Sequence, residues 1–146
     1  MKKKYIILHW TAGNYLPNIT DLTHYQMLID GAGKQIVGKE KTASTGGMNS
    51  ITYNISCCGR KNENTPIKPI QIEAMCHCAA LKCKELGLNI EDCYTHSEIG
   101  KMVQDGRIKK LLPYNKLLEQ NIGKIDFAGL GDTLRKKIKW YYSKIK

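Results

Sequence analysis

A chain of 146 residues has the size of one domain with one hydrophobic core, so a multidomain assembly is not expected. Its apolar share of 42% is ordinary for a globular protein, and no apolar run approaches the roughly 20 residues that span a bilayer. The formal charge of +10, from 23 basic and 13 acidic side chains, has two readings: attraction to polyanions such as nucleic acid, anionic lipid or acidic wall polymers, or solubility alone.

Lys2, Lys3 and Lys4 precede an apolar stretch of only about four residues, against the 7–15 of a secretory signal, and that stretch runs into His9 and Trp10. The expectation is a protein made in the cytoplasm, with any exit by another route. Residues 5–10 form an apolar run of strand length and read as a buried strand. Residues 14–21, with Pro17, Asn18 and Asp21, read as a loop. Residues 25–29 and 34–37 read as two strands of a hairpin joined by the Gly31-Ala32-Gly33 turn. The small, Gly-rich stretch 43–50 reads as a loop, and residues 51–57, with partial alternation through Ile51, Tyr53, Ile55 and Cys57, as a fourth strand.

After a proline-punctuated loop over 62–69, the spacing of Ile72, Met75, Cys76, Ala79, Cys83 and Leu86 predicts a helix over 69–86. Pro69 suits its first turn and Gly87 the position past its end. A fifth strand is expected within 88–95, ending near His96, then a short helix capped by Ser97 and ended by Gly106. Residues 109–120 are basic and apolar and read as partly helical, interrupted by Pro113. A terminal helix over 133–146 carries the stripe Leu134, Ile138, Tyr141 and Ile145, flanked by Arg135, Lys136, Lys137, Lys139 and Lys144. The pattern is a single α/β domain, with about five strands and helices packed on the sheet.

The six cysteines at 57, 58, 76, 78, 83 and 93 allow a disulfide framework or, at Cys76-x-Cys78, a metal pair. Without a secretion signal, and with Cys76 and Cys83 on the apolar helix face, they read as buried free thiols that pack as small hydrophobes.

The chemistry-bearing residues stand at strand ends beside loops, where α/β proteins place their sites. His9 closes the first strand and His96 the fifth; Asp126 follows Gly123-Lys124-Ile125. Two histidines with one carboxylate leave a fourth position open, the usual arrangement of catalytic zinc. Each residue alone has an ordinary structural reading.

Read together, the local strings resemble the N-acetylmuramoyl-L-alanine amidase family, the group that includes bacteriophage T7 lysozyme and the peptidoglycan recognition proteins. Ile6-Ile7-Leu8-His9-Trp10-Thr11-Ala12-Gly13 is similar to its opening strand, and Tyr25-Gln26-Met27-Leu28-Ile29-Asp30-Gly31-Ala32-Gly33 to its tyrosine strand and turn. Gly46-Gly47-Met48-Asn49, then Tyr53-Asn54-Ile55-Ser56 up to Gly59, is similar to its glycine-asparagine loop and central strand. Thr95-His96-Ser97-Glu98 and Gly123-Lys124-Ile125-Asp126 complete the order, so the resemblance covers roughly residues 4–130, with the basic helix following.

The resemblance implies a single domain over 1–146 with a central mixed β-sheet of about five strands flanked by helices. It also implies Zn2+ held by His9, His96 and Asp126, with water in the fourth position and Tyr25 and Lys124 assisting catalysis. The reaction implied is hydrolysis of the amide between N-acetylmuramic acid and L-alanine in peptidoglycan. Where some members carry a glutamate base on the central strand, Ser56 stands here, which favours the tyrosine-lysine variant. Gln26 replaces a frequent histidine; His24 reads as a neighbour of the site, and His77 as a partly exposed helix residue.

Glu98 reads as a support behind the ligands or as a capping residue. Asn49 and Asn54 read as peptide or sugar contacts or as ordinary turn and strand residues, and Trp10 as a groove wall or core residue. Residues 101–120 look like an insertion that shapes the substrate groove.

Two other functions compete with the enzyme. One is a non-catalytic peptidoglycan-binding module of the same shape, against which Asp126 and Lys124 speak. The other is nucleic-acid binding, argued from charge alone and without a motif, so no nucleic acid is expected. The implied setting is a monomeric phage-type lysin, a delivered toxin or a recycling enzyme acting on the wall, with the C-terminal helix holding it to an anionic wall or membrane surface.

Overall fold

The computed structural model describes residues 2–39 and 43–145; Met1 and Lys146, the ends of the expected domain, lie outside them. Five strands, β1 (Tyr5–Trp10), β2 (Met27–Ile29), β3 (Gln35–Val37), β4 (Thr52–Cys57) and β5 (Cys93–Thr95), form one sheet in the order β3-β2-β4-β1-β5. Strands β2, β4, β1 and β5 run parallel, and β3 pairs antiparallel with β2 through the expected hairpin. Four helices, α1 (Ile19–His24), α2 (Pro69–Leu86), α3 (His96–Gln104) and α4 (Gly131–Lys144), pack around this mixed sheet.

Central parallel strands are covered on both faces and read as continuous apolar runs. β1 obeys this: Ile6, Ile7, Leu8 and His9 are all buried. Ile6 and Leu8 join Ile29, Ile55, Met75, Ala79, Phe127, Leu134 and Ile138 in a core beneath α2 and α4. Ile7 turns the other way and packs with Met48, Ile51, Ile99, Val103, Ile108 and Leu118 beneath α3 and its neighbouring loops. β4 splits by parity as well: Tyr53, Ile55 and Cys57 belong to the α2 side, which leaves Thr52, Asn54 and Ser56 for the other face.

Helix α2 has the bounds its periodicity predicts. Pro69 stands in its first turn, the Gln71 side chain accepts from the Lys68 N–H at 2.8 Å, and Gly87 closes it in the left-handed conformation at φ 70°. All six cysteines are free and buried; the Cys83 and Cys93 sulfurs lie 3.4 Å apart without a bond. Burial pushes the thiols of Cys57, Cys58, Cys76 and Cys78 upward, as expected of small hydrophobes.

Several elements depart from the sequence expectation. The stretch read as a loop over 14–21 runs into α1, because Asn18 and Asp21 cap each other reciprocally: Asn18 Oδ1 accepts from Asp21 N–H at 2.7 Å and Asp21 Oδ2 from Asn18 N–H at 3.0 Å. Tyr25 therefore ends that helix, and β2 starts only at Met27. Residues Ile90–Asp92 form a 3-10 turn, so β5 begins at Cys93. The cap of α3 is Thr95, not Ser97: Thr95 Oγ1 accepts from Glu98 N–H at 3.1 Å, and Glu98 Oε1 accepts from Thr95 N–H at 2.9 Å. Around Pro113 the partly helical stretch is two 3-10 segments, Arg107–Lys110 and Lys116–Asn121. The terminal helix begins at Gly131, two residues before the expected start.

Candidate metal centre

His9 sits one residue from the C-terminal end of β1, on the same face as Ile7, and stands opposite Ser56 in the β1–β4 register. His96 is the first residue of α3, so the Thr95 capping box that starts this helix also fixes where the imidazole leaves the backbone. Asp126 arrives from the segment before α4. Its Oδ2 accepts from the Trp10 N–H at 3.1 Å, which ties this distant stretch to the end of β1. Phe127, directly after it, holds φ 55°, a left-handed conformation that costs a non-glycine residue about 1–2 kcal/mol. Its buried ring packs 5.1 Å from that of Trp10, which holds the strained backbone in place. Ala12 and Arg60 also have positive φ, and both follow the ends of the strands that surround the site.

Three ligand-type atoms converge. His9 Nδ1 lies 3.1 Å from His96 Nδ1, and Asp126 Oδ2 lies 3.8 and 3.9 Å from them. Among the described residues this is the group of His, Cys, Asp and Glu side chains that could hold a metal ion. The far nitrogens decide the protonation state. His9 Nε2 lies 2.8 Å from Asn54 Oδ1, and His96 Nε2 lies 2.7 Å from Asn121 Oδ1. A carbonyl oxygen only accepts, so each Nε2 carries the proton and each Nδ1 presents a lone pair.

The amide orientations are themselves fixed. Asn54 Nδ2 donates to Gln26 Oε1 and Thr52 Oγ1, and Asn121 Nδ2 donates to the carbonyls of Gly46 and Leu118, at 2.9 Å each. Two lone pairs at 3.1 Å, beside a buried carboxylate, repel unless a cation lies between them. Donors held at 2.0–2.2 Å by one tetrahedral ion are about 3.4 Å apart, so the triangle fits such an ion, and its nitrogen and oxygen donors suit zinc.

Electrostatics keep the ligands ready. Burial, reinforced by His96, holds His9 well below the ordinary histidine range; burial also lowers His96. Both imidazoles are therefore neutral, as metal ligands must be. Burial raises the Asp126 carboxyl, and the neighbouring His96 works against that rise.

The other expected residues fall as follows. The Tyr25 ring lies 5.2 Å from that of His9, and its phenol is pushed up to about 12, by burial first and by Asp126 second. Lys124 is exposed, and its charge acts on His9, His96 and Asp126. Trp10 points to the opposite face from His9, with Arg60 stacked 4.6 Å over its ring. Asn49 accepts from the Thr45 N–H at 2.8 Å and so braces the loop beside the site. Asn54 is fully buried beneath His9.

His24 stands next to Tyr25, 6.3 Å between rings, and outside the ligand triangle; His77 is exposed on α2 and stacks on Tyr141. Glu98 is held by Arg135 at 2.7 and 2.8 Å, besides its capping role.

Sequence reading missed Asn121 and Thr45. Thr45 Oγ1 donates to Asn54 Oδ1 at 2.8 Å, behind His9. No periodicity or motif marks either residue. The available signal was indirect: a central strand, β4, with polar residues at every second position.

Two histidines and a carboxylate converge at the carboxyl end of a mixed sheet, in an α/β domain, as a group that could hold a metal ion. A family model described as N-acetylmuramoyl-L-alanine amidase matches residues 1–108, and the chain belongs to that family. The match takes in His9, Tyr25 and His96 and ends before Lys124 and Asp126.

Among solved structures, the hydrolase AmiA of Staphylococcus aureus, in complex with its ligand, has a TM-score of 0.63 at 14% identity, covering 97% of this chain and 73% of that one. The amidase LysC of Clostridium intestinale has 0.61 at 14% identity, over 95% and 87% of the two chains. The endolysin amidase LysCS of the same organism has 0.57 at 16% identity, over 67% and 71%. At such identities the likeness is one of fold. No curated protein sequence matches the chain.

Proposed function

We propose that the protein is a zinc-dependent N-acetylmuramoyl-L-alanine amidase that hydrolyses the amide between N-acetylmuramic acid and L-alanine in peptidoglycan. The observation that carries the reading is the convergence of His9 Nδ1, His96 Nδ1 and Asp126 Oδ2 with both imidazole lone pairs turned inward. His9, His96 and Asp126 would hold the ion. Zinc bound there would act as a Lewis acid on the scissile carbonyl and lower the pKa of water to about 7.

The protein's own groups do the rest. Tyr25, with its phenol near 12, stays protonated at neutral pH and donates a hydrogen bond where the oxyanion develops. Lys124 adds a positive charge at the solvent side of the site, and either group can deliver the proton that the departing amine needs. Glu98 is engaged by Arg135, and Ser56 supplies no carboxylate, so neither serves as the base. Asp126 completes a ligand set that a pure binding module does not need.

The setting we infer is that of a lytic enzyme of endolysin type, delivered to the wall. The described residues contain no helix long and apolar enough to cross a membrane. On α4, Lys136 and Lys139 are exposed beside Trp140, which is 57% exposed, a face suited to an anionic wall surface. The test is release of new N-terminal alanine from purified peptidoglycan, with bound zinc counted, for wild type and His96→Ala. The reading requires about one zinc and amine release in wild type and neither in the variant. Zinc without amine release would leave a wall-binding module of the same fold.

A further inference from the structure

We propose that Asn121 is a positioning residue for the metal centre, and that the segment Lys116–Asn121 serves to hold it against His96. The proposal rests on the metal-site reading above. His96 opens a helix, and its backbone fixes neither the rotation of the ring nor the nitrogen that carries the proton. Asn121 Oδ1, 2.7 Å from Nε2, fixes both. The amide is rigid: Asn121 is buried and spends both its hydrogens on the carbonyls of Gly46 and Leu118. The segment is anchored in turn by Leu118, fully buried among Ile7, Ile99 and Ile108.

The same stretch grips the loop that supports the second histidine. Asn115 Nδ2 donates to the Gly47 carbonyl at 3.2 Å. A Cβ on Gly46 would lie only 2.8 Å from the Leu117 carbonyl oxygen, so the two backbones touch. One residue before Gly46, Thr45 donates to Asn54, which accepts from His9 Nε2. Asn121 thus backs His96 directly, and the chain behind His9 connects to it through the Thr45–Gly46 peptide, since the Gly46 carbonyl accepts from Asn121 Nδ2. Residues 115–121 lie beyond the part of the chain that the family model matches.

The experiment compares wild type with Asn121→Leu, which keeps the volume and removes the acceptor, and Asn121→Asp, which keeps an acceptor in place. Zinc affinity is read by competition with a chromophoric chelator, and site geometry by the visible spectrum of the Co2+-loaded protein. Asn121→Leu is expected to weaken zinc binding about 10–100-fold and to change the cobalt spectrum, with Asn121→Asp near wild type in both. Equal affinity in Asn121→Leu, or equal losses in both variants, overturns the proposal. Nitrogen NMR of metal-free wild type decides independently of whether a variant folds: His96 must carry its proton on Nε2 alone, and a proton on Nδ1 overturns it. A wild type that binds neither ion overturns the metal reading itself, an outcome distinct from a tight site indifferent to Asn121.

Discussion

The two faces of the sheet are built from the same strands and do opposite work. The face under α2 and α4 is mainly apolar, with Ile6, Leu8, Ile55, Met75 and Ile138 buried and five of the six cysteines (57, 76, 78, 83 and 93) used as small hydrophobes; the buried Gln71 amide there donates to the Ile29 and Cys58 carbonyls. The face under α3 is apolar only in part, around Ile7, Met48 and Ile99. Beside that cluster, the same face carries a buried polar layer of Gln26, Thr45, Thr52, Asn54, His9, His96 and Asn121. Burying so many polar groups is tolerated only because they bond to one another. The main apolar core and the candidate site thus lie on different faces of the sheet. Substitutions on each side should therefore fail in different ways.

The largest effect expected on the polar face comes from the third ligand. Asp126→Asn should lose tightly bound zinc and lower amide hydrolysis by about 10³-fold, the equivalent of several kcal/mol of lost transition-state stabilisation. Its thermal unfolding in the metal-free state should stay near wild type. A variant that kept full activity would remove Asp126 from the ligand set. On the apolar face Ile138→Ala should do the reverse. It leaves a cavity in the core and costs about 2–5 kcal/mol of stability in urea unfolding, while the folded fraction keeps its zinc and its turnover. Loss of zinc in folded Ile138→Ala would show that the two faces are not separable.

This division explains what the sequence disclosed. Helix α2 was legible to the residue because one apolar stripe, a proline start and a glycine stop all agree. β1 was legible because a strand buried on both faces has no alternation to confuse. The two histidines were legible by their place at strand ends and, with Asp126, by the family resemblance. β4 was misleading in part. Its alternation resembles a strand with one solvated face, yet Thr52, Asn54 and Ser56 are buried and Asn54 holds His9 from behind. Asn121 and Thr45 were illegible because what they do depends on contacts 25 and 9 residues away along the chain, which no local pattern encodes. The cap of α3 was placed two residues late because Thr95 and Ser97 are equally good caps by type. Only the partnership of Thr95 with Glu98 separates them.

Within the polar face, Tyr25→Phe separates holding the ion from using it. The ring would still pack beside His9, so zinc content should not change. Hydrolysis should fall by about 10²–10³-fold, the usual cost of one oxyanion donor. Wild-type turnover in the variant would assign that donor to Lys124 alone.

The smallest effect is a dependence of stability on pH, and its sign follows from the two histidines. In the metal-free protein both are held below their unfolded value of about 6.5 by burial. Above that pH neither the folded nor the unfolded chain binds these protons, and they contribute nothing. As pH falls below about 6.5 the unfolded chain takes them first, so stability declines, by at most about 1.4 kcal/mol per pH unit for each histidine. Asp126 acts in the opposite direction. Its folded value is raised, so through the carboxylate range the folded chain takes that proton first and recovers part of the loss. Two groups oppose one, and the histidines begin to titrate at higher pH, so the decline should dominate between about pH 6.5 and 5. Urea unfolding in the presence of a chelator across that range measures it. A double variant, His9→Asn with His96→Asn, should flatten the slope, whereas Ile138→Ala should lower stability at every pH and leave the slope alone. An unchanged slope in the double variant would mean that the acid sensitivity belongs to groups outside the polar face.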